Sequence, residues 1–260
     1  MPMPNFPGKH ELTALFQPAD FLGRLREAKS PDGTSMSEGA VLVYSVKLMR
    51  QILERHEASE RHVGPGYLNV HDVKVPGGRV ALAGGFGIGG PAAATAMEEM
   101  VGAGARRIVS IGGAGGLHPA QAIGDLVVCD RAVRDEGVSY HYLPPDERYV
   151  RPDAALTARL LEAVEQRADG VVAGGTWTTD APYRETREEV LHYRAEGVLT
   201  VEMEAASLAA VALHRGVEFA TAFAVMDSLA EESWRPEGLG HPDAVAALNI
   251  LFDAAAAVLV

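Results

Sequence analysis

The stretch Ile108–Leu117, IVSIGGAGGL, decides how the chain is read: a short apolar run of strand character passes into what reads as a loop made almost wholly of glycine and alanine. Glycine at such a junction serves one of two ends, the close approach of backbone amides to an anion or a tight turn in which no side chain fits. Around it GAVLVYSV (39–46), GRVALAGGF (78–86), RRIVSIGG (106–113), GDLVVCDRAVR (124–134), GVVAGGTWT (170–178), GVLTVEM (197–203) and VEFATAFAVMD (217–227) read as strands. The segments PAAATAMEEMVGAG, PDAALTARLLEAVEQRA, REEVLHYRAEG, MEAASLAAVALHRG and HPDAVAALNILFDAAAAVLV read as helices, several of them stopped by glycine. This alternation predicts an α/β fold, a largely parallel or mixed sheet with helices on both faces. In such sheets ligands gather where strands end, so the strand-to-helix junctions are where chemistry is expected.

The bulk numbers agree with one domain. The chain has 260 residues, 47% hydrophobic and 22% charged, enough for one sizeable core. Its formal net charge of −12 repels nucleic acid and anionic membranes, so neither is an expected partner. The single cysteine, Cys129, lies inside DLVVCDRAV and reads as a buried strand thiol, with no disulfide framework or metal cluster. The start, MPMPNFPGKHELTAL, lacks the charged n-region and apolar core of a signal peptide, and no apolar run reaches about 18 residues. The cytoplasm is the expected compartment. The segment EGVSYHYLPPDERYVRP (136–152) is the one long irregular stretch, a structured surface or subunit-contact loop.

Three junctions carry unusual residues. In GGFGIGG (84–90), Gly85, Gly87 and Gly90 fit the dinucleotide spacing G-x-G-x-x-G, but the next strand ends in IGGAGG, without the carboxylate that would bind a ribose. In TVEMEAA (200–206), Glu202 and Glu204 point the same way while the chain is extended and diverge by about 200° once a helix begins. The helix dipole alone would account for one acidic residue there. In AVMDS (224–228), Asp227 closes an apolar strand, either capping a turn or, with a pKa raised by partial burial, giving a proton to a leaving group.

Taken together, GIGGP with the EEM helix behind it, GGAGGL…IGDLVV, AVRDEGVSYHYLPP, TWTTDAPYRE and GVLTVEMEAA, in this order over about Gly78 to Ser228, resemble the nucleoside phosphorylase family, which includes purine nucleoside and uridine phosphorylases and related nucleosidases. The resemblance implies a single-domain, three-layer α/β/α fold over residues 1–260, with a central mixed, partly barrel-like sheet and a divergent N-terminal tail of about residues 1–38. It implies cleavage of the N-glycosidic bond of a nucleoside through an oxocarbenium-like sugar, with no cofactor and with inorganic phosphate as co-substrate. Glu204 matches the glutamate on the ribose hydroxyls, Met203 the methionine against the sugar, and Glu202 the flanking acidic position. Asp227 matches the aspartate by which purine-cleaving members protonate N7, which favours a purine-type base. Pro182 stands where an aromatic residue stacks on the base, with Tyr183 beside it; Ala114 and Gly113 line the base and ribose. His10 resembles the histidine lent across a dimer to the sugar 5′ end, and the family's dimers or hexamers make a homo-oligomer the expectation.

The phosphate ligands depart from the pattern. The loop after the first strand reads YSVKLMR (44–50), in which Arg50 survives; the second arginine position is Ser110, the Thr/Ser position is Gly113, and Gly87 offers only its backbone. Hydrolysis is therefore an alternative to phosphorolysis, yet YSVKLMR holds no glutamate to activate water. A non-catalytic nucleoside-binding protein is a further alternative, set against the retention of Glu204 and Asp227. His118, His141 and His192 lack metal-ligand spacing.

Overall fold

The computed structural model describes residue 6 and residues 8–20, 36–63, 68–230 and 234–260. Residues 1–5, 7 and 21–35 of the segment read as a divergent tail lie outside them. In chain order the elements are β1 (Gly39–Val43), α1 (Val46–Arg55), β2 (Ala58–Val63), β3 (Leu68–Val75), β4 (Gly78–Gly84), α2 (Gly90–Ala103), β5 (Arg107–Gly116), β6 (Leu126–Asp135), α3 (Ser139–Tyr142), β7 (Tyr149–Val150), α4 (Ala154–Glu165), β8 (Val172–Thr179), α5 (Arg187–Ala195), β9 (Val198–Glu202), α6 (Ala205–Arg215), β10 (Glu218–Ser228) and α7 (Pro242–Leu259). Short 3-10 turns lie at Lys9–Glu11 and Pro182–Arg184.

The strands form one mixed sheet in the order β10-β6-β8-β9-β5-β1-β4-β3-β2, with β7 paired to β6. Because β10 also pairs with β5, the strands β5, β9, β8, β6 and β10 close into a ring. The remaining strands extend from β5 as an open wing, which gives the partly barrel-like sheet that the motifs implied. Alanine-rich α2 and α6 cover one face through Ala93, Met97, Met100, Ala206 and Leu208; α1, α4 and α7 cover the other through Ile52, Leu160 and Phe252. The helix α7 is long and apolar enough to cross a membrane by length and composition, but Leu251, Phe252, Ala254 and Ala255 are fully buried in this core. Cys129 is buried as read, and burial pushes its thiol well up.

The opening stretch is corrected. Its glycines do not form a loop: β5 continues to Gly116, with Gly112 opposite Phe223 of β10 and Gly115 opposite Val201 of β9. Each lacks a side chain because another side chain fills its place. A Cβ at Gly112 would lie 2.9 Å from the Tyr44 ring, one at Gly115 3.0 Å from Val201, and one at Gly113 would run into Met226 Sδ. Glycine inside a strand marks such close approach.

Three further differences follow from local chemistry. Residues 46–55 are helix, not loop: Ser45 Oγ accepts from the Leu48 amide at 3.2 Å, and Leu48, Met49 and Ile52 form its buried face. The hairpin β2–β3 escaped the reading because ASERHV is nearly all polar, as an edge strand can be. The stretch 136–152 is folded around the buried Arg134. Its guanidinium donates to Ser139 Oγ at 2.9 Å and to the carbonyls of Pro144 at 2.7 Å and Glu147 at 3.0 Å.

Candidate active site

Strand β9 ends at Glu202 and α6 begins at Ala205, so both carboxylates sit in the turn between them. They divide the work. Glu202 Oε2 accepts from the Glu204 and Ala205 amides, each at 2.7 Å, and thereby caps α6. Its Oε1 accepts from Thr178 Oγ1 at 2.5 Å, and Thr178 Oγ1 itself accepts from the Ala206 amide at 3.0 Å. Glu202 is thus the acidic residue that the helix start explains. Both its oxygens are engaged inside the protein.

With the cap supplied by its neighbour, the Glu204 side chain leaves the helix. Its Oε1 accepts from the Gly89 amide at 2.5 Å, across to the glycine loop between β4 and α2. Gly85, Gly87 and Gly89 in that loop have φ of +75°, +95° and +90°, conformations open to glycine. Met203 is half-buried over the same loop, its Cε 3.8 Å from where a Gly89 Cβ would be. Because a carboxylate of the chain already occupies the Gly89 amide, this helix start is not free for a dinucleotide pyrophosphate. Burial raises both carboxylates, Glu202 the further because the charge of Glu204 adds to it.

Asp227 reaches the same end of the ring. The register of β10 slips between Val225 and Asp227, a bulge that packs Met226 against Gly113 and sets Asp227 opposite Gly115. Gly115 has Val201 of β9 on its other side, so Asp227 and the Glu202–Glu204 turn stand on strands flanking β5, roughly 10 Å apart at two strand spacings. Burial raises the Asp227 carboxyl, and the Trp234 indole, donating to Oδ2 at 2.6 Å, pulls it back. Nearby Glu185 is raised to about 7 by burial and then by the charge of Asp227.

Two buried carboxylates where β9 ends, one of them freed towards a glycine loop, and a half-buried one aimed by a bulge stand at these strand ends. Residues 40–260 match the phosphorylase superfamily. The chain belongs to the phosphorylase superfamily. A guanosine phosphorylase of Halorubrum lacusprofundi is 34% identical over 131 residues, covering 50% of this chain and 54% of that protein. A uridine phosphorylase of Salmonella typhimurium is 29% identical over 154 residues, covering 54% and 60%. The matches thus span little more than half the length of these curated relatives. Among solved structures, uridine phosphorylase from Vibrio fischeri superposes with a TM-score of 0.73 at 22% identity, covering 86% of this chain and 90% of that one. Purine nucleoside phosphorylase from Toxoplasma gondii, in complex with immucillin-H, gives 0.74 at 18%, covering 85% and 90%.

Within this phosphorylase-superfamily fold the positions expected to hold an anion are the least equipped. Ser110 is buried and its Oγ donates to Thr221 Oγ1 at 2.7 Å, so it faces the neighbouring strand and not an anion. Gly113 is exposed, but Met226 fills the room a hydroxyl side chain would need. Arg50 is exposed on α1, beyond the turn where a phosphate loop was expected, and Gly87 is exposed in the glycine loop. At the positions expected to meet the base, Pro182 is exposed and Tyr183 is fully so, at 100%, and therefore walls no pocket among the described residues. Ala114 is buried among the α2-side core residues and offers a base only its backbone. His10 lies in the 3-10 turn that packs against α3, where Lys9 Nζ meets His141 Nδ1 at 2.7 Å; its Nε2 is 3.9 Å from Glu11.

Besides Glu185 and Trp234, Tyr44 and Thr178 were not candidates from the sequence. Tyr44, directly after β1, packs edge-on against Phe86 at 5.6 Å, and its buried hydroxyl is raised by burial first and by the charge of Glu204 next. Thr178 joins Glu202 to α6. The signal for Thr178 is the alternation in TWTTD: Thr176 and Thr178 face Glu202, while Trp177 faces away and donates to Asp135 at 2.9 Å.

Proposed function

We propose that the chain is a pentosyltransferase that cleaves the N-glycosidic bond of a purine-type nucleoside by phosphorolysis, giving free base and pentose 1-phosphate. The observation that carries this reading is the release of Glu204 from its helix, anchored to the Gly89 amide, with Asp227 on the strand flanking β5. In this reading Glu204 accepts from the sugar hydroxyls, and its negative charge lies beside the ring as positive charge develops there. Asp227 gives its proton to the base as the C–N bond breaks and the electron pair passes to the base nitrogen. A phosphate oxygen then bonds to the anomeric carbon. Phosphate is a co-substrate, held by backbone amides of the glycine loop around Gly87 and by Arg50 or a residue of a neighbouring subunit. No cofactor is required. A cytoplasmic homo-oligomer, dimer or hexamer, serving purine salvage completes the proposal.

One observation favours a second reading. The burial of Ser110 and the filling of Gly113 by Met226 remove two anion ligands, which favours water as nucleophile. The test is to incubate the protein with guanosine, inosine and uridine, with and without phosphate, and to identify the sugar product. Phosphate-dependent ribose 1-phosphate from the purine nucleosides supports phosphorolysis. Free ribose at the same rate without phosphate supports hydrolysis, and binding without cleavage leaves a nucleoside-binding protein.

A further inference from the structure

The aromatic ring that meets Asp227 comes from an unexpected segment. Trp234 follows β10, and its indole N–H donates to Asp227 Oδ2 at 2.6 Å, although the residue is 59% exposed. An indole gains little from standing in water; with its N–H fixed and more than half of the residue open, it offers aromatic surface to a flat ligand. Described residues on either side of it are pinned. Ser228 and Arg235 exchange backbone hydrogen bonds, both at 3.0 Å, and Arg194 Nη2 donates to the Ala230 carbonyl at 2.8 Å. Meanwhile Pro182 supplies no ring, and Tyr183 stands wholly in solvent.

We propose that Trp234 both receives the base and positions Asp227, its exposed indole face stacking on the leaving base while its N–H occupies Oδ2 and leaves Oδ1 to carry the proton. The inference rests on the proposed role of Asp227 as general acid. During cleavage the Oδ1 proton passes to the base nitrogen as the glycosidic electron pair arrives there. The carboxylate that remains keeps the indole N–H as its donor, so the hydrogen bond strengthens as charge develops on Asp227.

Two variants separate the two roles. Trp234→Phe keeps a ring and removes the N–H; Trp234→Ala removes both. Each is assayed with guanosine, whose base needs a proton to leave, and with 7-methylguanosine, whose base already carries the charge. Trp234→Ala is expected to raise KM for both substrates on the order of tenfold, the size of one base-stacking contact. Trp234→Phe is expected to keep KM and to lower kcat on the order of tenfold for guanosine alone. A third readout does not need turnover. The chain has two tryptophans, and Trp177 is buried, so guanine binding should change the fluorescence of the wild type and not that of Trp234→Ala. Wild-type KM and kcat in Trp234→Ala, equal loss on both substrates in Trp234→Phe, or a guanine signal that survives Trp234→Ala would each overturn the proposal. A wild type that cleaves neither nucleoside contradicts the proposed activity instead, and the fluorescence titration still decides whether Trp234 receives a base.

Discussion

The proposed sugar end and the proposed anion end of the site differ in how their polar groups are held. At the sugar end, Glu202 is engaged by two backbone amides and a threonine hydroxyl, and Glu204 by the Gly89 amide. At the anion end, Ser110 is tied to Thr221, Met226 fills the space beside Gly113, and Arg50 lies out on α1. Buried charge persists only where the fold supplies its partners, because an unpaired ionised group in the interior costs several kcal/mol. The sugar end meets that condition with its own chain. The anion end has instead become packing, with a methionine where a ligand would stand, so whatever anion binds there relies on backbone amides and Arg50 or a neighbouring subunit.

The contrast can be broken by substitutions at each end. Glu204→Gln keeps the shape and removes the charge beside the sugar; kcat/KM for a purine nucleoside is expected to fall on the order of 10³-fold, with the melting temperature retained. Asp227→Asn is expected to cost on the order of 10²-fold with guanosine and almost nothing with 7-methylguanosine, since only the former needs the acid. Equal losses on both substrates would remove Asp227 from that role. At the anion end, Gly113→Ser drives a side chain into Met226 and is expected to destabilise the fold by about 1–3 kcal/mol in urea unfolding. Adding Met226→Ala should recover much of that stability and, with a hydroxyl now at the site, lower the KM for phosphate.

A fourth test is the pH dependence of stability. Burial and the charge of Glu204 raise Glu202 from 4.5 to about 8. Between those values the native chain keeps a proton that the unfolded chain has lost. Unfolding then releases a proton, so stability falls as pH rises through the window and levels above it. Melting temperatures of the wild type from pH 5 to 8.5 should show that slope, and Glu202→Gln should flatten it.

Much of this was legible in the sequence, for identifiable reasons. The runs around Val41, Val109, Val127 and Ala222 are apolar on both faces because helices cover both sides of the sheet, and such runs announce themselves. The same test fails for β2, where Arg61 and Glu60 stand on an edge. IVSIGGAGGL misled because glycine carries no pattern: only the fold shows that Tyr44, Met226 and Val201 fill the missing volumes. Glu202 and Glu204 were both visible as candidates, but residues two apart in a strand share a face. Which one turns back to cap α6 depends on Gly89, 115 positions away. Trp234 gave no signal at all, since a lone aromatic residue in a polar segment acquires its meaning from contact with Asp227.

The central claim is that phosphate, and not water, takes the sugar from a purine-type base at a site whose anion end has lost its usual side chains. It is tested most directly by running the reaction with guanosine and phosphate in water enriched in oxygen-18 and weighing the sugar product. The account predicts ribose 1-phosphate with no oxygen-18 at the anomeric position. Free ribose carrying the label, formed at a rate that phosphate does not change, would contradict it.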